Sequence, residues 1–526
     1  MNHILANGEL PKDFCRGNIL PIPKDPAKPC TRDNARPLTM LETGLKILTK
    51  CISNRLNHAM ARDPILAPTQ FAFLPGMNIM DPIRIMEAVY EQARRNHKAD
   101  ATKEVHIAYL DLRAAFDKVE YWAGEAALNR VRVPPKIRAL LHNLNTRSER
   151  SIITEHGLTD QWELKNGVPQ GEILSPFRFL CLMDMLNTWL ARRCAGNNPK
   201  REQIGFRFEV CKRPRYNQKW TEGNDTTRVH TLIYADDICL IAETAEHLQQ
   251  LVGLVHEFFS TAGINLSDTK SYYTTNAPNP TPIYITGSMT QGANANLDGE
   301  WTPDTTGPFL THKKPNESIR YLGVNFELNG TWETQKRIVE DTLKFCLERL
   351  EYKDMTMTQM RYVMNAVIIP KLKYALSISA IHQAPNATFC DSLDTTIRRF
   401  VLDYFRMARN TSTACVHSNL QHWGLGINSL KAKVYETIIH NTVSSLNDWD
   451  LSNKWDKKLR ELRPEEHDTK QLYTAYREHA NIYPQALLGH LDTHMHKSRA
   501  VVFPLGRTAK NPTSGLTKDC LTHRLR

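Results

Sequence analysis

Two hydrophobic periods alternate along the first 330 residues, and a single one runs through most of the remaining chain. The ILPIPK run at residues 19–24 is short, apolar and carries prolines, which reads as an edge strand closed by Pro, since Pro cannot donate to a central ladder. NARPL at residues 34–38 reads as a turn. It leads into an amphipathic helix over residues 42–60 that places Leu45, Leu48, Ile52 and Leu56 on one face. A second helix is expected over residues 82–96, opened by Pro82. Residues 105–112 read as a strand, with Val105, Ile107, Tyr109 and Asp111 sharing a face. Helical spacing returns at residues 122–129, 135–145 and 175–193. HTLIYADDICLIA, residues 230–242, is two apolar runs around an acidic pair, the pattern of a buried β-hairpin with carboxylates at its tip. A helix over residues 245–262 should end at Gly263. Residues 276–318, rich in Asn, Thr, Gly and Pro, read as a surface insertion between strands. From Trp332 to about Leu446 the period is helical, and no repeat recurs. The expected order is mixed α and β to a boundary near Gly330, then all helix.

Composition narrows the class. With 41% apolar and 23% charged residues among 526, the chain has globular rather than disordered character. Its 11 cysteines include no C-x-x-C pair, which argues against a disulfide scaffold and the common zinc modules. Cys520 and His523, like His490, His494 and His496, lack a partner set. The longest apolar stretch, residues 363–381, is interrupted by Asn365, Lys371 and Lys373, so no membrane span is expected. The opening MNHILANGELPKD lacks the basic and apolar blocks of a secretory signal. An intracellular protein is therefore expected. The formal charge of +11 favours polyanionic partners, and residues 451–526, with 14 basic and 8 acidic side chains, supply +6 of it. A solvated basic surface explains the surplus equally well.

Carboxylates inside apolar strands need a stronger explanation. Asp111 lies in AYLDLRAAFD, and Asp236 and Asp237 lie in LIYADDICLIA. Burying an unpaired carboxylate costs several kcal/mol, so such groups are paired, hydrogen-bonded or metal-bound. Oxygen donors without a His/Cys set suit hard cations such as Mg²⁺, and two such ions serve phosphoryl transfer. Adjacent strand residues face opposite sides, so Asp236, in phase with Leu232 and Tyr234, is the better partner for Asp111.

Tyr234-Ala235-Asp236-Asp237 with Asp111 upstream resembles the catalytic signature of reverse transcriptases. The order of motifs makes the resemblance specific. Asp111 and Phe116 come first, then GVPQGEILSP at residues 167–176, then YADD, GINLSDTK at residues 263–270, and Tyr321-Leu322-Gly323. The Ala within YADD is the flavour of non-LTR (LINE-like) retrotransposon enzymes and of group II introns. His422-Trp423-Gly424-Leu425-Gly426-Ile427 is similar to a Gly-Leu-Gly-Ile stretch common after the thumb in this group.

The resemblance implies an α+β right-hand polymerase with a helical thumb and a C-terminal helical extension. Residues 1–104 would be fingers, 105–330 the palm with finger elements, 331–445 the thumb and post-thumb region, and 446–526 a basic extension. It implies RNA-directed DNA polymerase activity with an RNA template, a DNA primer and dNTPs as partners, two Mg²⁺ ions (or Mn²⁺), and a nuclear location. Asp111 and Asp236 would hold the metals, aided by the Leu112 carbonyl and more weakly by Asp237. Phe116 would be the gate against a ribose 2′-OH, Lys24 and Arg36 would meet the triphosphate, Gln170 and Gly171 the nucleotide or template, and Lys270 would protonate pyrophosphate. Tyr321-Leu322-Gly323 would be the primer grip. Lys212, Arg213, Arg215 and Lys219, interleaved with Tyr216 and Trp220, fit nucleic-acid contact and an exposed basic loop equally well.

The chain also departs from the pattern. Ala72 stands where Gly is usual, Ser267 where Asn is, and Glu172-Ile173 replaces a commoner Asp/Cys-Pro. None of these removes a metal ligand or the gate. With Met1 just ahead of the first finger motif and no RNase H site, the expectation is a polymerase core or a fragment of a longer element. A non-catalytic RNA-binding remnant and an intron maturase are the alternatives.

Overall fold

The computed structural model describes residues 2–447 except 32–33, 63–65, 67–68, 74–77, 196–203, 210–225, 290–300, 379–380 and 382–387. The basic loop around Lys212–Trp220 and the extension at 451–526 lie outside the described residues. Contacts divide the chain into two units. One takes residues 1–82, 104–206 and 228–313; the other takes 83–103, 207–227 and 314 onward.

The first unit mixes helices with two five-stranded sheets and a small two-stranded one among the described residues, an α+β arrangement. Its central sheet has the order Thr311–Lys313, Tyr272–Thr275, His106–Leu110, Asp237–Ala242, Thr231–Tyr234, antiparallel except for the first pair. All five residues of His106–Leu110 are buried, as befits a middle strand covered on both faces. The backbone around Phe71 extends the sheet beyond Thr231–Tyr234, its N–H donating to the Ile233 carbonyl at 3.1 Å. The helices Ser175–Ala195 and Ala245–Thr261 contribute Phe179, Leu182, Leu186, Leu251, Val255 and Phe259 to one continuous core.

Thr244 caps Ala245–Thr261, accepting the His247 N–H, and Gly263 follows the helix at φ +79°. Gly253 sits mid-helix for a packing reason: a Cβ there would lie 2.3 Å from the ring of Trp301.

That contact corrects the expectation for residues 276–318. The segment is not a plain surface insertion, because Thr311–Lys313 joins the central sheet and Trp301 is buried on a core helix. Two further expectations change. Of residues 34–38 only Asn34 lies in a turn; the rest belong to the strand Ala35–Leu41, and the helix starts after it as Thr43–Arg62. The edge strand is Arg16–Pro23, and only its proline-bearing half is an edge. Gly17–Ile19 is paired on both sides, with Ala35–Leu41 and with Glu149–Thr154, whereas Leu20–Pro23 pairs with Ala35–Leu41 alone.

The second unit contains most of the helix Met80–Ala99, the hairpin Ile319–Tyr321/Val324–Phe326, and the helices Glu333–Glu351, Met357–Val363, Ile369–Leu376, Phe389–Tyr404 and Leu430–Asn447. Tyr90 and Trp332 both pack on Phe326, with ring centroids at 5.4 Å. The Tyr374 hydroxyl donates to the Leu322 carbonyl at 2.6 Å, pinning the hairpin turn. Asp394 caps Leu430–Asn447 by accepting the N–H groups of Leu430 (2.6 Å) and Lys431 (3.0 Å). No helix among the described residues is long and apolar enough to cross a membrane.

Candidate active site

Strand register brings the two key carboxylates to one end of the central sheet. Asp111 directly follows His106–Leu110, and Asp236 sits in the two-residue turn between Thr231–Tyr234 and Asp237–Ala242. Because Leu110 pairs with Ile238, both residues leave the sheet on the same side. The turn is tight enough to hold Ala235 at φ +55°. Asp111 is anchored through its backbone: its N–H donates to Ser271 Oγ (3.1 Å) and its carbonyl accepts the Ser267 N–H (2.8 Å).

Both carboxylates open onto a cleft of about 670 Å³. Lys24 and Arg36 reach it from the hairpin formed by Arg16–Pro23 and Ala35–Leu41. The intervening loop is organised by Asn34, whose side chain accepts the Asp25 N–H and donates to the carbonyls of Asp25, Lys28 and Pro29. Phe116, Gln170, Gly171 and Lys270 complete the predicted set. Asp237 is the exception: it starts the return strand, exposed, and does not line the cleft. Leu112 also lines the cleft, and no hydrogen bond within the described residues engages its carbonyl.

Burial pushes the Asp111 carboxyl above its ordinary range; Lys270 opposes this, Asp236 adds to it, and Lys24 opposes it again. Burial also raises Asp117, against the pull of Lys24. Asp117 is not among the residues the sequence singles out, although the AFD run contains it; it lines the cleft beside Phe116. Glu172, in sequence only a departure from the family pattern, is fully buried. It accepts the Leu174 N–H (2.9 Å) and the Ser175 hydroxyl (3.1 Å), and burial raises its carboxyl while Arg178 opposes the rise. It therefore orders the start of Ser175–Ala195.

Among the described residues no group of three His, Cys, Asp or Glu side chains could enclose a metal. The cleft offers the carboxylates of Asp111 and Asp236 beside basic residues, with Leu112 in its lining. That donor set fits Mg²⁺, which is held by one or two carboxylates together with substrate phosphates and water rather than by an all-protein cage.

The loop 167–171 is fitted to this cleft by glycine. Gly171 has φ +112°, and a Cβ there would lie 2.5 Å from the Thr39 carbonyl oxygen. Thr39 in turn donates its N–H to the Gln170 carbonyl at 2.6 Å. Gly171→Ala is expected to lower stability by about 1–3 kcal/mol through strain and clash. A urea midpoint equal to wild type would show that the loop relaxes freely.

The reverse transcriptase (RNA-dependent DNA polymerase) family matches residues 22–326, more than half of the chain. The Pol polyprotein of retrotransposable element R2 from Nasonia vitripennis is 24% identical over 444 residues, covering 83% of this chain and 37% of that protein. The R2DM counterpart from Drosophila melanogaster is 24% identical over 433 residues, covering 82% of this chain and 36% of that protein. The chain spans between about a third and a half of the length of these and the next R2 relatives. Among solved structures, a telomerase from Candida tropicalis aligns over 89% of this chain and 70% of that chain, at 9% identity and a TM-score of 0.39, too low to carry argument. The ordered motifs, the paired carboxylates at one sheet end and the match over residues 22–326 make this chain a member of the reverse transcriptase family, of the non-LTR (LINE-like) kind.

Proposed function

We propose that the chain is an RNA-directed DNA polymerase of a non-LTR retrotransposon, extending a DNA primer on an RNA template with dNTPs. The observation that carries this reading is the convergence of Asp111 and Asp236 on one cleft with Lys24, Arg36, Phe116 and Lys270. Two Mg²⁺ ions (or Mn²⁺), held by Asp111, Asp236 and the Leu112 carbonyl with Asp237 as a weaker neighbour, supply Lewis acidity and charge neutralisation when bound. Arg36 offers the triphosphate a bidentate fork and Lys24 a point charge. Lys270 donates a proton to the departing pyrophosphate. Gln170 and Gly171 set backbone and amide against the nascent pair, and the ring of Phe116 excludes a 2′-OH.

In this reading residues 1–104 are fingers, 105–330 palm, 331–445 helical thumb and post-thumb, and 446–526 a basic RNA-binding extension. An element copied into chromosomal DNA works in the nucleus, the compartment proposed here. A non-catalytic remnant is the weaker reading because both cleft carboxylates are retained. The test is extension of oligo(dT) on poly(rA) with dTTP. We expect lengthening with Mg²⁺ and none after chelation. No extension with either Mg²⁺ or Mn²⁺ would sink the proposal.

A further inference from the structure

We propose that Trp423 is a stacking platform for an unpaired base of a single RNA strand. This inference rests on the polymerase reading for the class of ligand, and on the geometry of the second unit for the site.

Trp423 is 94% exposed, the most exposed of the large hydrophobic side chains described. Its backbone lies at φ +59°, a left-handed conformation that favours glycine and disfavours a bulky residue. No described residue covers the ring to offset that strain. The loop carrying it is nonetheless rigidly built. The N–H groups of Trp423, Gly424, Leu425, Gly426 and Ile427 donate to the carbonyls of Leu420, Asn419, Cys415, Ser418 and Val416, at 2.8–3.2 Å. Arg361 Nε donates to the Leu425 carbonyl (2.7 Å) and Asn365 Nδ2 to that of Gly426 (2.8 Å). Asn365 lies in the π-helical turn Met364–Ile368, a widened turn of the kind found at functional sites. A rigid aromatic ring held in solvent loses little freedom when a flat partner stacks on it.

Charge selects that partner. Residues 404–435 contain no Asp or Glu, and carry four Lys/Arg and two His. Arg409, Lys431 and Lys433 are paired with Asp403, Asp391 and Glu436. Arg406 is exposed and makes no ion pair with a described residue. It too sits at positive φ, +52°, in the place after Phe389–Tyr404 where glycine commonly ends a helix. The two bulky residues of this segment that occupy glycine-type backbone are thus an Arg and a Trp, the pair used to bind phosphate and to stack on bases. The ring's sequence neighbours Asn419, Gln421 and His422 are polar, and the exposed Leu420 is the one large apolar side chain among residues 419–422, less than the contiguous apolar core of a protein interface.

Trp423→Gly is the decisive variant, because glycine suits the backbone. Binding of oligo(rA) is measured by anisotropy across a salt series without metal or nucleotide, so the result is independent of the extension assay. We expect affinity to fall roughly tenfold to a hundredfold. The slope of log affinity against log salt should stay unchanged, because no phosphate contact is lost. The melting temperature should equal or exceed wild type. Oligo(dA) should lose affinity equally, because a ring stacks on the base and not on the sugar. Wild-type affinity for oligo(rA) in Trp423→Gly, or a melting temperature that falls with binding, overturns the proposal. The latter outcome would mean that the ring packs structurally.

Discussion

Asp111→Asn and Asp236→Asn should each lower single-turnover primer extension by about a thousandfold, while primer–template affinity stays near wild type. The size follows from removing a donor whose effect on the transition state is several kcal/mol, at about 1.4 kcal/mol per decade. Affinity should hold because docking depends on basic side chains that neither change touches. Stability separates this from damage to the fold. Folding raises the Asp111 carboxyl above its unfolded value, with burial as the largest cause. A carboxyl raised in this way contributes its full stability below its unfolded pKa and loses it as pH rises from there through the folded one. In chelator at neutral pH, ionised Asp111 is therefore a net cost, and Asp111→Asn should melt no lower than wild type. The difference should shrink on acidification. Asp237→Asn should be the mildest of the three, because Asp237 does not line the cleft. Extension by Asp236→Asn at the wild-type rate would remove the two-carboxylate site.

How local each signal is decides which parts of this architecture are legible in the sequence. The hairpin bearing Asp236 is legible because two short, continuously apolar runs, buried in the fold, flank an acidic turn. The strand Ala35–Leu41 is not, because Pro37 reads as a breaker. In the fold Pro37 pairs opposite Pro21. Thr39 donates its N–H to Gln170, away from the neighbouring strand, so the residues two positions along also point their amide positions outward. The two missing N–H groups therefore cost no ladder bond, which only the register reveals. Thr311–Lys313 is hidden for the opposite reason. Three polar residues carry no period, and their pairing with Tyr272–Thr275 is set by long-range contact. At the site, spacing to a recognised motif locates Asp111, Phe116 and Lys270, whereas Asp117 and Glu172 need the cleft and the burial to be seen. Glu172 looks like a departure in a loop and is a buried acceptor at a helix start.

Sugar selection provides the second large effect. Phe116 is half-buried, and its ring stacks on Phe179 at 4.4 Å with planes 24° apart. Phe179 is buried in Ser175–Ala195, and the Phe116 carbonyl accepts the Val168 N–H at 2.7 Å. The ring is thus supported from beneath and held by its backbone, so it cannot swing aside for a 2′-OH at the cleft. Phe116→Val should shorten the wall while keeping part of the contact with Phe179. We expect its preference for dTTP over UTP to fall roughly tenfold to a hundredfold, as expected for a pocket that loses bulk at one wall. Phe116→Ala should relax selection further but lose about 1–3 kcal/mol of stability through the void left beside Phe179. The Val variant is therefore the cleaner test, read as single-nucleotide incorporation of each substrate on the same primer. A fall in both incorporation rates with an unchanged ratio, together with a lower melting temperature, would make Phe116 a core residue and move the gate elsewhere.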